Sequence, residues 1–257
     1  MKSVYGPVAS WRLGSSLGVD LICSKKKICS FDCIYCQLGK QENITILRKK
    51  FISNEKIIKE VSETLKIVNP DIITFSGTGE PTISKNLDLA INEIKKITKI
   101  PLAILTNSTL MNNKDVIKSL CKLDVVVAKL DAPNEKLFQE INKPLEDVNF
   151  ETTFQSIKNF KKVYTGKLNI QTMFMKNNIN YAEELANIIS EINPFEVQIN
   201  TPLRPCPIKP LTKEQLNRIE KIFKKRNLNT ISVYTSKKPK TSPMDKMEIF
   251  MRRSIYK

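Results

Sequence analysis

Residues 25–40 read KKKICSFDCIYCQLGK. Cys29, Cys33 and Cys36 sit close together in a 257-residue chain whose other cysteines, Cys23, Cys121 and Cys206, are scattered. A closed tetrahedral metal site takes four ligands, so three clustered thiols leave a position open. The chain has no histidine. That excludes His-ligated zinc, His-based triads and the usual general base near neutral pH. Any chemistry must therefore run through the thiols, a cofactor, or carboxylates and lysines. No apolar run reaches the ~18 residues of a membrane-spanning helix. The N-terminus MKSVYGPVASWRLG lacks the apolar middle of a signal peptide, so a cytoplasmic location is expected. In that reducing compartment clustered cysteines point to a metal rather than to disulfides.

Around the cysteine loop, short apolar runs alternate with helical patterns. SLGVDLICS (16–24), DIITFSG (71–77), PLAILTN (101–107), DVVVAKLD (124–131), KLNIQTMFM (167–175) and FEVQINT (195–201) read as strands. They are nearly continuous in apolar residues, as strands covered on both faces are. Ile57, Val61, Leu65 and Val68 form a helical stripe with Ser53 placed to cap it. Leu87, Ile91, Ile94 and Ile97 repeat the pattern, as do Leu185, Ile188, Ile189 and Ile192, and Thr212 with Gln215 has capping-box spacing. Strand–helix repeats with short connections predict a parallel sheet, either open or a partial barrel, with ligands at the C-terminal ends of the strands. The polar punctuation falls there: the cysteine loop, SGTGEP (76–81), Asn107, KLDAP (129–133) and NTPLRP (200–205).

The CxxxCxxC spacing, with aromatic Tyr35 before the last cysteine, resembles that of radical S-adenosylmethionine (radical SAM) enzymes. SGTGEP similarly matches the family's glycine-rich motif. YGPVASWRLGSSLGVDLI, FSGTGEPT, AILTN, LDAPNEKLFQEINKP and VQINTPLRP extend the likeness to a short group of Fe–S oxidoreductases related to the wyosine-tRNA synthases. The resemblance implies a partial (βα)6 barrel of the TIM type, parallel strands inside and helices outside. It implies a [4Fe–4S] cluster on Cys29, Cys33 and Cys36, whose free iron binds S-adenosylmethionine and whose reduction yields a 5′-deoxyadenosyl radical. Tyr35, Ser76, Gly77, Thr78, Gly79 and Glu80 would border that cofactor, Glu80 receiving its amino group. Asn107, Lys129, Asp131 and Gln171 are further candidates, Lys129 for the methionine carboxylate. A reductant such as flavodoxin or ferredoxin is the implied electron donor. Cys23, Cys121 and Cys206 do not reproduce the second cluster of the wyosine enzymes.

Two residues outside these motifs are also candidates. Arg204, held between prolines, is placed to clamp a phosphate or carboxylate of the substrate. Cys206 is a candidate catalytic thiol, beside the alternative of an inert one. Two units are expected, a core over residues 1–225 with an N-terminal arm and a basic extension over 226–257. The formal net charge is +16, and residues 218–257 carry a net +9 of it. This suggests an anionic substrate, with RNA and tRNA modification foremost, docked on a basic end that includes Arg252 and Arg253. A solvated basic tail, an activating enzyme for a partner protein and a non-catalytic Fe–S RNA-binding module stand as the alternatives.

Overall fold

A computed structural model describes residues 1–40 and 44–252. Its eight strands form one sheet in chain order. β1 (Val4–Ser10) and β2 (Gly14–Val19) make an antiparallel hairpin. β3 (Ile72–Phe75), β4 (Leu102–Thr106), β5 (Val125–Lys129), β6 (Lys167–Met173), β7 (Glu196–Asn200) and β8 (Thr230–Ser232) follow, each parallel to the strand before it. Parallel neighbours require crossovers, supplied by α1 (Asn54–Leu65), α2 (Leu87–Ile97), α3 (Lys114–Leu120), α4 (Glu135–Asn142), α5 (Phe150–Val163), α6 (Ala182–Ile192) and α7 (Lys213–Lys224). A short α8 (Lys246–Met251) returns to β1. Val8 of β1 and Val233, next to β8, line one cavity, so the sheet curls into a half-barrel. Among the described residues no helix is long and apolar enough to cross a membrane.

The six predicted strands are β2 to β7. Ile57, Val61, Ile91, Ile94, Leu185 and Ile189 of the helical stripes are fully buried, whereas Leu65, Val68 and Ile188 are partly buried and Ile97 is exposed. Burying such a side chain contributes about 1.5–3 kcal/mol, and this shell holds the barrel. Ser53 caps α1, and Thr212 with Gln215 forms the capping box of α7. The first strand is shorter than the 16–24 run suggests. Asp20 accepts hydrogen bonds from the backbone of Ile22 and Cys23 and turns the chain at the end of β2.

The sheet also gains strands at both edges. Pro7 in β1 removes a donor, which an edge strand tolerates and a central strand does not. β8 extends the sheet past residue 225 with only three residues. Arg252 is 5% exposed, lies 3.6 Å from Asp20 and stacks over the Tyr5 ring. It is therefore spent inside the protein and not displayed on a basic docking surface, contrary to the expectation from charge. Arg253 lies outside the described residues.

Candidate functional site

The long loop between β2 and α1 buries Leu21, Ile22, Phe31 and Tyr35, and hydrogen bonds fix the rest of its shape. Ile28 donates to the Thr78 carbonyl, and Glu80 donates back to the Ile28 carbonyl, at 3.1 and 2.9 Å. This bridge stitches the cysteine loop to SGTGEP. A Cβ on Gly79 would stand 1.7 Å from the Ile28 oxygen, so only glycine permits the approach. On the other side Asp32 and Ile34 donate to the carbonyls of Lys143 and Ile141, and Phe31 packs edge-on against Phe138 of α4 at 5.3 Å. Cys36 donates to the Cys33 carbonyl, which makes the tight turn between the two thiols.

Cys29, Cys33 and Cys36 face one cavity of about 490 Å³ inside the half-barrel. Asn107 and Asn142 point amide nitrogens at the sulfurs of Cys29 and Cys33, 3.4 and 3.5 Å away. Burial pushes the Cys29 thiol up to about 12, with Glu80 adding to it, and the Cys33 thiol up to about 11. Without a cation these two therefore carry protons, and a metal would have to displace them. The side chain of Lys27 is 3% exposed and paired with Asp32 at 3.0 Å. Burial opposes its charge, but the three thiols and Asp32 outweigh that and hold its ammonium above the usual lysine range. Among the described residues no three Cys, Asp or Glu side chains form a site for a metal ion. A four-iron cube asks for a different arrangement, one thiolate at each of three separate irons with a cationic surround. The donor set of three thiols on one wall, two amides and Lys27 fits that group.

Glu80 does not present a free carboxylate. It is 2% exposed and accepts from Thr82 N, Thr82 Oγ1 and Thr106 Oγ1 on one oxygen and from Asn107 N on the other, at 2.7–3.1 Å. Burial raises its pKa, and these hydrogen bonds oppose the shift. These bonds fasten the motif to the end of β4, and Glu80 still lines the main cavity. Asn107 is similarly committed, to Cys29, to Ser30 and to the Thr109 backbone. Asp131 is buried and off the cavity surface, receiving bonds from Tyr35 Oη, Asn142 Nδ2 and the Met173 backbone. It holds Tyr35 in place. Lys129 stands 3.6 Å from Asp131 and 4.9 Å from the Tyr35 ring centroid, and it lines the cavity.

Gln171 pairs in register with Lys129 and lines the cavity as well, with its Nε2 unpartnered. Arg204 closes the rim by donating to Gln37 at 2.9 Å. Ser76 and Gly77 open instead on a smaller cavity of about 250 Å³ under the β1–β2 hairpin, and Ser76 bonds Tyr5. Thr78 is bound to Asp20. Cys206 is not brought to either cavity. It packs against the core, with its sulfur 3.4 Å from the Ile208 carbonyl. Lys27, Asp20 and Asn142 were missed by sequence reasoning. Only Lys27, two positions before Cys29, carries a local signal.

A family model for the radical SAM superfamily matches residues 25–189, which hold the three cysteines, SGTGEP, Asn107, Lys129, Asp131 and Gln171. A UPF0026 protein of Synechocystis is 40% identical over 207 residues, covering 80% of this chain and 77% of the relative. A Brachyspira hyodysenteriae protein named GTPase Obg is 38% identical over 229 residues, which are 86% of this chain. The chain spans only 33% of that relative's length. A radical SAM methyltransferase structure from Sphaerobacter thermophilus superposes with a TM-score of 0.63 at 15% identity, covering 85% of this chain and 66% of that one. At that identity the likeness is one of fold.

Proposed function

The chain belongs to the radical SAM superfamily, and from that premise we propose that it takes hydrogen from an anionic substrate held inside the half-barrel. Members of the superfamily bind a [4Fe–4S] cluster and S-adenosylmethionine and draw on a reductant. In this reading Cys29, Cys33 and Cys36 hold the cluster. When bound, the cluster supplies the electron for reductive cleavage of S-adenosylmethionine, which provides the radical for hydrogen abstraction. The chain's own residues position and insulate. Asn107 and Asn142 hold the thiolates by N–H donors, and Lys27 balances their charge. Glu80 fixes the Gly79–Glu80 backbone at the cavity wall, and Tyr35 is set by Asp131. Lys129 is the cation for the methionine carboxylate, and Gln171 offers an amide donor.

The observation that carries the substrate class is the charge of the cavity wall. Arg12, Lys27, Lys129, Arg204 and Lys238 line it, against the single carboxylate of Glu80. Lys27 serves the thiols, so cations remain beyond the one that a methionine carboxylate needs. Anaerobic reconstitution, dithionite and S-adenosylmethionine should give 5′-deoxyadenosine. Anionic metabolites tested by mass spectrometry should include one that is consumed and raises its yield. A yield unaffected by anionic compounds but raised by neutral or cationic ones would sink the substrate class.

A second reading, tRNA modification, draws on Lys237, Lys238 and Lys240. They are exposed, and Lys238 reaches the cavity wall. Binding of bulk tRNA that weakens steeply with salt would favour it, since counterion release sets that slope.

A further inference from the structure

The tip of the β1–β2 hairpin, residues 11–13, lies outside the stretch matched to the superfamily, yet it forms part of both cavities. We propose that Arg12 at this tip anchors the oxyanion of the substrate, a phosphate or carboxylate group, and selects the substrate from outside the shared core. The inference rests on the reading of an anionic substrate and names the residue that meets it.

The guanidinium of Arg12 lines the main cavity and the smaller one beside it. Its Nε is out of reach of solvent and has no hydrogen-bond partner among the described residues. No carboxylate among them forms an ion pair with it, and the Trp11 ring lies 5.4 Å from the guanidinium carbon. Arg12 as a whole is half-buried, but its Nε is cut off from water, and a cation drawn from water without a counter-ion is normally paired. Every other arginine drawn into this region has a partner: Arg204 bonds Gln37, and Arg252 sits against Asp20. Burial draws the Arg12 pKa down to about 10, which still leaves it charged at neutral pH.

The hairpin tip is also rigid. Ser10 Oγ accepts from the backbone of Arg12 and Leu13, and Asp71 accepts from Ser15 N at 2.7 Å. A tip held in place before binding loses little backbone entropy when Arg12 meets a planar or tetrahedral oxyanion, and its two Nη groups offer the bidentate geometry. On the same cavity, Gln171 is 7% exposed and directs its Nε2 at no protein acceptor. A cation and a neutral donor, both without acceptors, fit a ligand carrying an oxyanion and a carbonyl or ring acceptor.

The test measures binding, not turnover. Reconstituted protein without S-adenosylmethionine is titrated at low salt with pyrophosphate and, separately, with succinate, by calorimetry and thermal shift. Wild-type protein should bind one of them saturably, and which one assigns phosphate or carboxylate. Arg12→Gln should weaken that binding roughly tenfold to a hundredfold, with Arg12→Lys between the two, because lysine keeps the charge and loses the fork. Arg226→Gln, which alters an exposed arginine paired with Glu183, should change nothing. The unliganded Arg12→Gln protein should melt at the wild-type temperature or above it, since an unpaired buried charge is removed. Equal binding by wild type and Arg12→Gln would overturn the proposal, as would no saturable binding by wild type. A lower melting temperature in Arg12→Gln would also overturn it and make Arg12 a packing residue. Cleavage of S-adenosylmethionine by the wild-type protein, measured separately, tests the parent reading, so either can fail alone.

Discussion

On the wall made by the cysteine loop and the ends of β3 and β4, buried polar groups find partners within the chain. Asp20 accepts four hydrogen bonds and Glu80 four. On β6, β7 and the hairpin tip, several do not. Asn169 Oδ1, Gln171 Nε2, Gln198 Oε1 and Arg12 Nε are buried with no protein partner, whereas near the loop Asn142 Oδ1 is the exception. The register explains part of this. Lys129, Gln171 and Gln198 form one row across β5, β6 and β7, and their side chains point into the lumen instead of into helices. A satisfied wall is pre-organised and can hold a cofactor in one pose. An unsatisfied wall costs stability until a ligand supplies the missing donors and acceptors. In the proposed reading the first wall holds the cofactor and the second meets the substrate.

The largest effect should come from the satisfied wall. Cys33→Ala is expected to abolish cluster assembly, read by iron and sulfide content, and with it any release of 5′-deoxyadenosine. Cys121→Ala, an exposed cysteine far from the cavity, should leave both intact. Normal cleavage by the Cys33 variant would remove the cluster from this wall altogether. Gly79→Ala comes next. Its methyl group would overlap the Ile28 carbonyl and force the two loops apart, at a cost on the order of 3 kcal/mol. For a protein of this size that lowers the melting temperature by about 6–12 °C. An unchanged melting curve would mean the bridge between the loops is slack.

How much of this was legible in the sequence depended on whether the signal was local. The three cysteines and SGTGEP are local: the cysteines face the main cavity with Gly79 and Glu80, while Ser76 and Gly77 open on the smaller one. β2 to β7 were legible because strands buried on both faces read as apolar runs. β1 was not, because Pro7 breaks the strand pattern and only its edge position makes it acceptable. β8 was too short to register. Partnerships were illegible wherever they join distant positions. Tyr35 and Asp131 are 96 residues apart, and Cys33 and Asn142 are 109 apart. The hydrogen bonds of Glu80 were illegible for the same reason, since Thr106 and Asn107 arrive from the end of β4. Arg252 illustrates the limit of counting charge, for a basic tail says nothing about which of its cations fold back onto an aspartate.

A smaller effect is expected at Glu80 itself. Glu80→Gln keeps the shape but replaces one acceptor oxygen with a donor. Whichever way the amide turns, a buried N–H or hydroxyl from Thr82, Thr106 or Asn107 loses its acceptor, which costs about 1–3 kcal/mol. Thermal unfolding should show the loss, and affinity for S-adenosylmethionine should fall with it as the motif loosens. Full stability together with weakened cofactor binding would mean that Glu80 meets the cofactor directly and that the wall is less complete than its hydrogen bonds suggest.

The smallest effect, and the one of opposite sign, is expected on the other wall. Gln171 is buried on β6, and its Nε2 has no protein partner. Replacing a partnerless amide with an apolar side chain of similar size removes a desolvation cost without creating a new unsatisfied group. Gln171→Leu should therefore leave the unliganded protein as stable as before or raise its stability by up to about 1 kcal/mol. That is a shift of about 2–4 °C at most for a chain of this length. The same substitution should weaken binding of whatever ligand accepts from that nitrogen, so stability and affinity move apart. Glu80→Gln lowers both, and the divergence at Gln171 is what separates a wall built to be complete from one completed by its ligand. A clear fall in melting temperature for Gln171→Leu would show that the amide already has a structural partner, and the distinction between the two walls would collapse.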